Sequence, residues 1–113
     1  MVKVGYIPER GDIVWLDFDP QKGHEQKGNR PAIVISPKEY NEKVGLAVFC
    51  PITNQEKGYP FEVKIASKKI AGAILSDQIK SLDWRKRDIK FIVKSKEAEI
   101  TEVVSKINVL INN

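Results

Sequence analysis

Apolar and polar positions alternate in short runs along most of this chain, and a longer period takes over only near its end. Ile13-Val14-Trp15-Leu16-Asp17 carries β-branched and aromatic residues in the alternation of a half-buried strand. Pro31-Ala32-Ile33-Val34-Ile35 is continuously apolar and predicts a second, well-buried strand. Ser36-Pro37 then offers an N-cap followed by proline at a first helical position, so a short helix is expected from Pro37 to Lys43. Leu46 to Cys50 predicts a third strand ending at Pro51. Lys57-Gly58-Tyr59-Pro60 reads as a turn, and Phe61-Glu62-Val63-Lys64-Ile65 as an alternating strand. Ala73-Ile74-Leu75, Ile79-Lys80-Ser81-Leu82 and Ile89-Lys90-Phe91-Ile92-Val93 are further strand candidates. From Lys96 the period changes: Ile100, Val103, Val104, Ile107 and Ile111 recur at spacings of three and four, the stripe of an amphipathic helix. Ser95 can cap that helix, and Glu97 and Glu99 suit its positive end. Short strands with a terminal helix predict a mainly-β α+β domain on a small, strongly bent antiparallel sheet.

Composition narrows this picture modestly. With 113 residues the chain is read as one domain, 1–113, and no internal repeat, low-complexity segment or linker divides it. Nineteen Lys and Arg against 15 Asp and Glu leave a net charge of +4, which favours an anionic partner such as nucleic acid or an acidic peptide. A single cysteine, Cys50, excludes an internal disulfide and fits a reducing compartment. It lies in an apolar run, where a buried small residue is expected rather than a nucleophile. No basic leader with an apolar stretch opens the chain, and no apolar run approaches the ~18 residues of a membrane span. A cytoplasmic protein without membrane contact is expected.

The chemistry concentrates in Gly23-His24-Glu25-Gln26-Lys27-Gly28-Asn29-Arg30-Pro31, directly after the first strand and its Asp17-Phe18-Asp19-Pro20 exit. Glycine and proline make this a loop, and a loop carrying so many reactive side chains is equipped for binding or catalysis. Pro51-Ile52-Thr53, Lys57-Gly58-Tyr59-Pro60-Phe61-Glu62-Val63, Ser76-Asp77-Gln78-Ile79-Lys80-Ser81 and Ser105-Lys106-Ile107-Asn108-Val109-Leu110-Ile111 follow in order. Together these motifs resemble the MazF/PemK family of toxin endoribonucleases, of the chromosomal MazF type, over nearly the whole chain. The resemblance implies an SH3-like β-barrel with a C-terminal helix (the CcdB/PemK-like toxin fold), normally a homodimer. It also implies metal-independent, sequence-specific cleavage of single-stranded RNA, which arrests translation, and a MazE-like antitoxin whose flexible acidic segment wraps the toxin. One segment departs from the pattern, Asp88 to Ser95, where family members vary.

Strand cleavage without a metal uses the neighbouring 2′-hydroxyl as nucleophile. The enzyme must take its proton, offset the charge gathering on phosphorus and assist the departing 5′-oxygen. Glu25 is a possible base, Arg30 offers a forked cation matched to phosphate, and Thr53 a hydroxyl for the same group. The resemblance assigns Arg30 and Thr53 as the catalytic pair with Glu25 assisting. An arginine parts with its proton too reluctantly to be an easy general acid, so charge stabilisation is its simpler role. His24, the only histidine, can serve beside Glu25 or stand as a solvated loop residue. No His/Cys cluster or acidic ligand spacing points to a metal or other cofactor.

Single-stranded RNA further needs cations for its phosphates and flat surfaces for its bases. Lys57, Lys80, Arg85, Lys86 and Arg87 supply charge; Trp15, Phe18, Tyr59 and Trp84 supply rings, although strand aromatics such as Trp15 are also core candidates. Ser76, Asp77 and Gln78 can read base edges. The blander readings are a structural ion pair for Arg30, a turn for Thr53 and a solvated basic turn for Trp84–Arg87. Two other functions compete: a toxin of this fold that poisons a topoisomerase by contact, and a non-catalytic SH3-like nucleic-acid-binding module. Neither requires Glu25, Arg30 and Thr53 together, so the nuclease reading leads.

Overall fold

In the computed structural model, which describes residues 5–18 and 29–112, a bent antiparallel sheet is built from strands β1 (Asp12–Asp17), β2 (Asn29–Val34), β3 (Leu46–Thr53), β4 (Glu62–Ala66), β5 (Ala71–Leu75), β6 (Lys80–Asp83) and β7 (Lys90–Lys94). Helix α1 (Lys38–Val44) joins β2 to β3, and α2 (Glu97–Asn112) closes the described chain. The strand order is β4-β5-β3-β2-β1-β7, with β6 also paired to β3. The expected mainly-β α+β class is observed, as a half-barrel whose ends are β4 and β7.

Period-two alternation explains the bend. In β1, β2 and β3, register partners Ile13, Ile33 and Cys50 point to one face, where they meet Ile52, Val63, Ile65, Ile74 and the α2 residues Val103 and Ile107. Their neighbours Val14, Leu16, Ala32, Val34, Ala47 and Phe49 point to the other face and pack with Trp84. Central strands buried on both sides read as unbroken apolar runs, as Pro31–Ile35 does.

β3 runs past the expected end at Cys50 and continues to Thr53. Its first half pairs with β6 from Leu46 to Phe49, and its last two residues pair with β5 at Ile52 and Thr53. Pro51, which cannot donate to a ladder, sits where β3 passes from one neighbour to the other. One strand serving two partners in succession is what curls the sheet.

Both expected helix caps differ in detail. Ser36 does not cap α1: its buried hydroxyl donates to Asn41 Oδ1 and accepts from Val48 N–H at 2.8 Å. Ser95 does not cap α2 either, and its Oγ has no hydrogen-bond partner. Glu99 takes that role, accepting from Lys96 N–H (2.9 Å) and, with its other oxygen, from Ala66 N–H (2.8 Å). One buried carboxylate thus caps the helix and fastens it to β4. Of the expected stripe, Val103 and Ile107 are buried, whereas Val104 and Ile111 are exposed. Among the described residues, no helix is long and apolar enough to cross a membrane.

Candidate active site

Where β1, β2, β3 and the β4–β5 hairpin meet, a cleft of about 460 Å³ opens between Trp15, Asn29–Pro31, Ile52–Asn54, Ile70 and Ala71. Its position follows from strand register. The β2–β3 ladder ends at the Ala32–Pro51 pair, and Arg30 and Thr53 lie just beyond that end on the two strands. The two residues lie 23 apart in sequence, and both line the cleft. Leu16 pairs with Arg30 and Trp15 with Pro31, which carries the Trp15 ring to the rim at 42 % exposure.

Thr53 sits at the end of β3. Its Oγ1 accepts from Gln55 N–H at 3.0 Å, the small turn foreseen for this residue. An accepting hydroxyl still has its own proton to donate, so the turn orients the group without consuming it. Arg30 is half-buried, and its guanidinium lies 5.7 Å from the centre of the Phe18 ring. Lys80, the register partner of Phe49, places Nζ 5.8 Å from the same ring. Among the described residues, Arg30 and Lys80 have no carboxylate partner within 4.0 Å. Two cations sharing one ring, with no carboxylate among the described residues within 4.0 Å, describe a phosphate-binding corner.

A second depression of about 150 Å³ adjoins the first at Thr53 and is lined by Gln55, Lys57, Tyr59, Glu62, Leu75 and Gln78. Glu62 shapes its rim by accepting from Lys57 N–H and Gly58 N–H, each at 2.9 Å. Tyr59 Oη donates to the Asp77 carboxylate, 2.7 and 2.8 Å from its two oxygens. That bond to an anion, more than any burial, holds the phenol above its ordinary pKa. Asp77 and Tyr59 are therefore one joined unit, with Gln78 exposed beside it.

Other expected contacts are corrected. Ser76 is fully buried and donates its hydroxyl to Phe61 O, so it faces the core rather than a base edge. Trp84 is 7 % exposed and its indole N–H donates to Asn41 O at 3.0 Å, which makes it core and not a stacking platform. Arg85 stacks on Trp84 and donates to Glu42 O at 2.7 Å, covering a carbonyl in the last turn of α1. Arg87 donates to Asp17 O and Phe18 O at 2.9 and 3.0 Å, a half-buried structural clamp rather than a free cation. Trp84, Arg85 and Arg87 are thus tied into the fold rather than forming a solvated basic turn, with Lys86 left mostly exposed, 4.0 Å from Asp83. His24 and Glu25 lie outside the described residues. Cys50 is buried as expected; burial, with the Asp77 charge second, pushes its thiol up to about 12.

Three contributors to the cleft were not foreseen. Asn29 and Ile70 line it, and neither carries a sequence signal beyond standing beside Arg30 and before β5. Gly72 governs its shape: a Cβ there would lie 2.2 Å from Thr53 O, so β5 reaches Thr53 only with glycine at this position. Its signal was a lone glycine inside a strand-like run.

A family model described as the PemK-like, MazF-like toxin of type II toxin–antitoxin systems matches residues 9–111. The endoribonuclease toxin MazF of Escherichia coli K12 is 47 % identical over 106 residues, covering 94 % of this chain and 96 % of that protein. The endoribonuclease MazF of Staphylococcus epidermidis is 32 % identical, covering 92 % of each. The crystal structure of MazF from Deinococcus radiodurans superposes with a TM-score of 0.87 at 43 % identity, covering 96 % of this chain and all of that one (100 %). A MazE–MazF structure from the same organism superposes with a TM-score of 0.85 at 38 % identity over 96 % of this chain and 98 % of that one.

Proposed function

This chain belongs to the PemK-like, MazF-like toxins of type II toxin–antitoxin systems, and from that premise we infer that it is an endoribonuclease that cuts single-stranded RNA in the cleft between β2 and β3. The observation that carries this reading is that Arg30 and Thr53 line one cleft, with Lys80 sharing the Phe18 ring with Arg30 and, among the described residues, no carboxylate within 4.0 Å of either cation. Such a corner suits a phosphodiester. The 2′-oxygen attacks phosphorus as its proton passes to a base, for which Glu25 is proposed. The bond to the 5′-oxygen breaks, and that oxygen takes up a proton, leaving a 2′,3′-cyclic phosphate and a 5′-hydroxyl. Arg30 and Thr53 hold the non-bridging oxygens while charge gathers on them. Trp15 offers a half-exposed ring to a flanking base, and Lys57, Gln78 and Tyr59, whose hydroxyl Asp77 holds, line the adjoining depression for another.

The solved MazE–MazF relatives support an antitoxin partner for this chain, with an acidic flexible segment competing for the same cations. Exposed Val104, Val109, Leu110 and Ile111 along α2 support a homodimer. A cytoplasmic site of action, where mRNA is the substrate, goes with this reading.

The decisive experiment is cleavage of a long unstructured RNA in excess EDTA with end-group mapping. Cyclic 2′,3′-phosphate and 5′-hydroxyl ends are expected, and Arg30→Ala should slow cleavage by ~100- to 1000-fold while folding normally. Strict dependence on a divalent ion, 5′-phosphate ends, or wild-type activity in a folded Arg30→Ala protein would refute the assignment.

A further inference from the structure

Arg87 and Phe18 connect in a way that the cleavage chemistry alone does not require. The Arg87 guanidinium donates to both Asp17 O and Phe18 O, and Arg87 O in turn accepts from Asp17 N–H at 3.1 Å. Three hydrogen bonds thus join a turn after β6 to the exit of β1, about 70 residues away in sequence by the separation of the bonded pairs (69 and 70). The residue they hold is Phe18, whose ring has the Arg30 guanidinium at 5.7 Å and Lys80 Nζ at 5.8 Å. The ring's negative face attracts both cations and offsets part of their mutual repulsion when no anion is bound.

We propose that Phe18, locked by Arg87, is a positioning residue that holds the Arg30 guanidinium and Lys80 ammonium in phosphate-binding geometry before RNA arrives. The physical argument is pre-organisation. Arg30 and Lys80 have long, rotatable side chains, and among the described residues neither is fixed by a carboxylate. Electrostatic stabilisation of a transition state works best when the charges need not reorganise during the reaction. An anionic anchor would fix the two cations but cancel the field they must present to phosphate; an aromatic ring fixes them and leaves the charge in place. Phe18 itself follows the last residue of β1. Arg87 supplies a restraint there through one guanidinium nitrogen, Nη1, which donates to both backbone carbonyls.

The proposal rests on Arg30 facing the scissile phosphate, and its test separates the geometry from the chemistry. NMR of full-length protein reads the Arg30 Nε–Hε resonance, assigned by its loss in Arg30→Lys, without requiring turnover. Phe18→Leu and Arg87→Ala should each shift it toward the position of a free arginine side chain, because the ring is removed or released. Phe18→Tyr, which keeps the ring, should leave it in place. In cleavage, Phe18→Leu should lower kcat by about 10- to 100-fold, the cost of misplacing a catalytic contact by an ångström or less. KM should stay within about twofold, and Phe18→Tyr should restore the rate. If Arg87→Ala fails to fold, Arg87→Met, which keeps the apolar stem and removes the donor, carries the same expectation. An Arg30 resonance unmoved by Phe18→Leu overturns the proposal, as does a loss confined to KM, which would make Phe18 a base-stacking surface. Correct NMR shifts in a protein that cleaves no RNA would uphold the positioning and refute the nuclease assignment.

Discussion

Gly72→Ala is the substitution that most directly couples the fold to the site. The added Cβ would stand 2.2 Å from Thr53 O and 3.0 Å from Thr53 C, where ordinary contact begins near 3.4 Å. Both clashing atoms are backbone, so no side chain can rotate away, and β5 and the end of β3 must separate by roughly 1 Å. Gly72 also has φ +134°, a conformation that L side chains rarely adopt. Strain of this kind costs about 1–3 kcal/mol and overpacking a similar amount, so roughly 2–6 kcal/mol is expected in sum. For a domain of this size each kcal/mol lowers Tm by roughly 4 °C, placing the drop at about 8–24 °C at fixed protein concentration. The displacement falls on Thr53 itself, and a shift of about 1 Å in a catalytic group can cost ~100-fold in rate. Scanning calorimetry and single-turnover RNA cleavage well below the new Tm measure the two effects separately. Gly58→Ala is the control: its φ is also positive (+78°), but nothing lies within 4 Å of the added Cβ. It should lower Tm slightly, by the ~1–2 kcal/mol of a left-handed alanine, and leave cleavage unchanged at 25 °C. Wild-type melting and cleavage in Gly72→Ala would refute the argument that this close approach sets the position of Thr53.

Thr53→Val keeps the volume and removes only the hydroxyl, so cleavage should fall by ~10-fold or more while Tm changes little; full activity would reduce Thr53 to a turn residue. Cys50 should resist iodoacetamide at pH 8, because a thiol pushed up to about 12 stays protonated there, and should react only in denaturant. Native labelling at the rate of a free cysteine would contradict its burial. An acidic, disordered antitoxin segment should displace a non-cleavable RNA from the cleft, with an affinity that weakens as salt rises from 50 to 300 mM. A ternary complex holding RNA and antitoxin at undiminished affinity would show two separate surfaces.

Much of the architecture was legible because the physical signals were local. Alternation marked β1 and β4, continuous apolar runs marked the doubly buried β2, and spacing of three and four marked α2. Where the reading slipped, a tertiary partner had overridden a local preference. Ser36 was drawn from its capping position by buried Asn41 and the Val48 amide. The cap of α2 came from Glu99, whose second oxygen serves a strand 33 residues earlier in sequence. Proline ends most strands, but Pro51 could remain inside β3 because that point lies between two neighbours.

The site divided along the same line. Arg30 and Thr53 were nominated by a motif, but only the pairing of β2 with β3 brings them to one cleft, and such pairing is a relation between strands that neither segment encodes alone. The basic run Trp84–Arg87 misled for the converse reason. Composition counts its charges, whereas the fold assigns Arg85 and Arg87 to backbone carbonyls and Trp84 to the core. A cation is free for substrate only when no internal acceptor reaches it first, and the carbonyls of Glu42, Asp17 and Phe18 do reach these. Among the described residues, the positive field around the cleft therefore comes from fewer side chains than the sequence suggested, chiefly Arg30, Lys57 and Lys80. With so few charges, their placement carries more of the catalysis than their number, so small geometric changes at Phe18 or Gly72 should matter more than removing an exposed surface lysine such as Lys68.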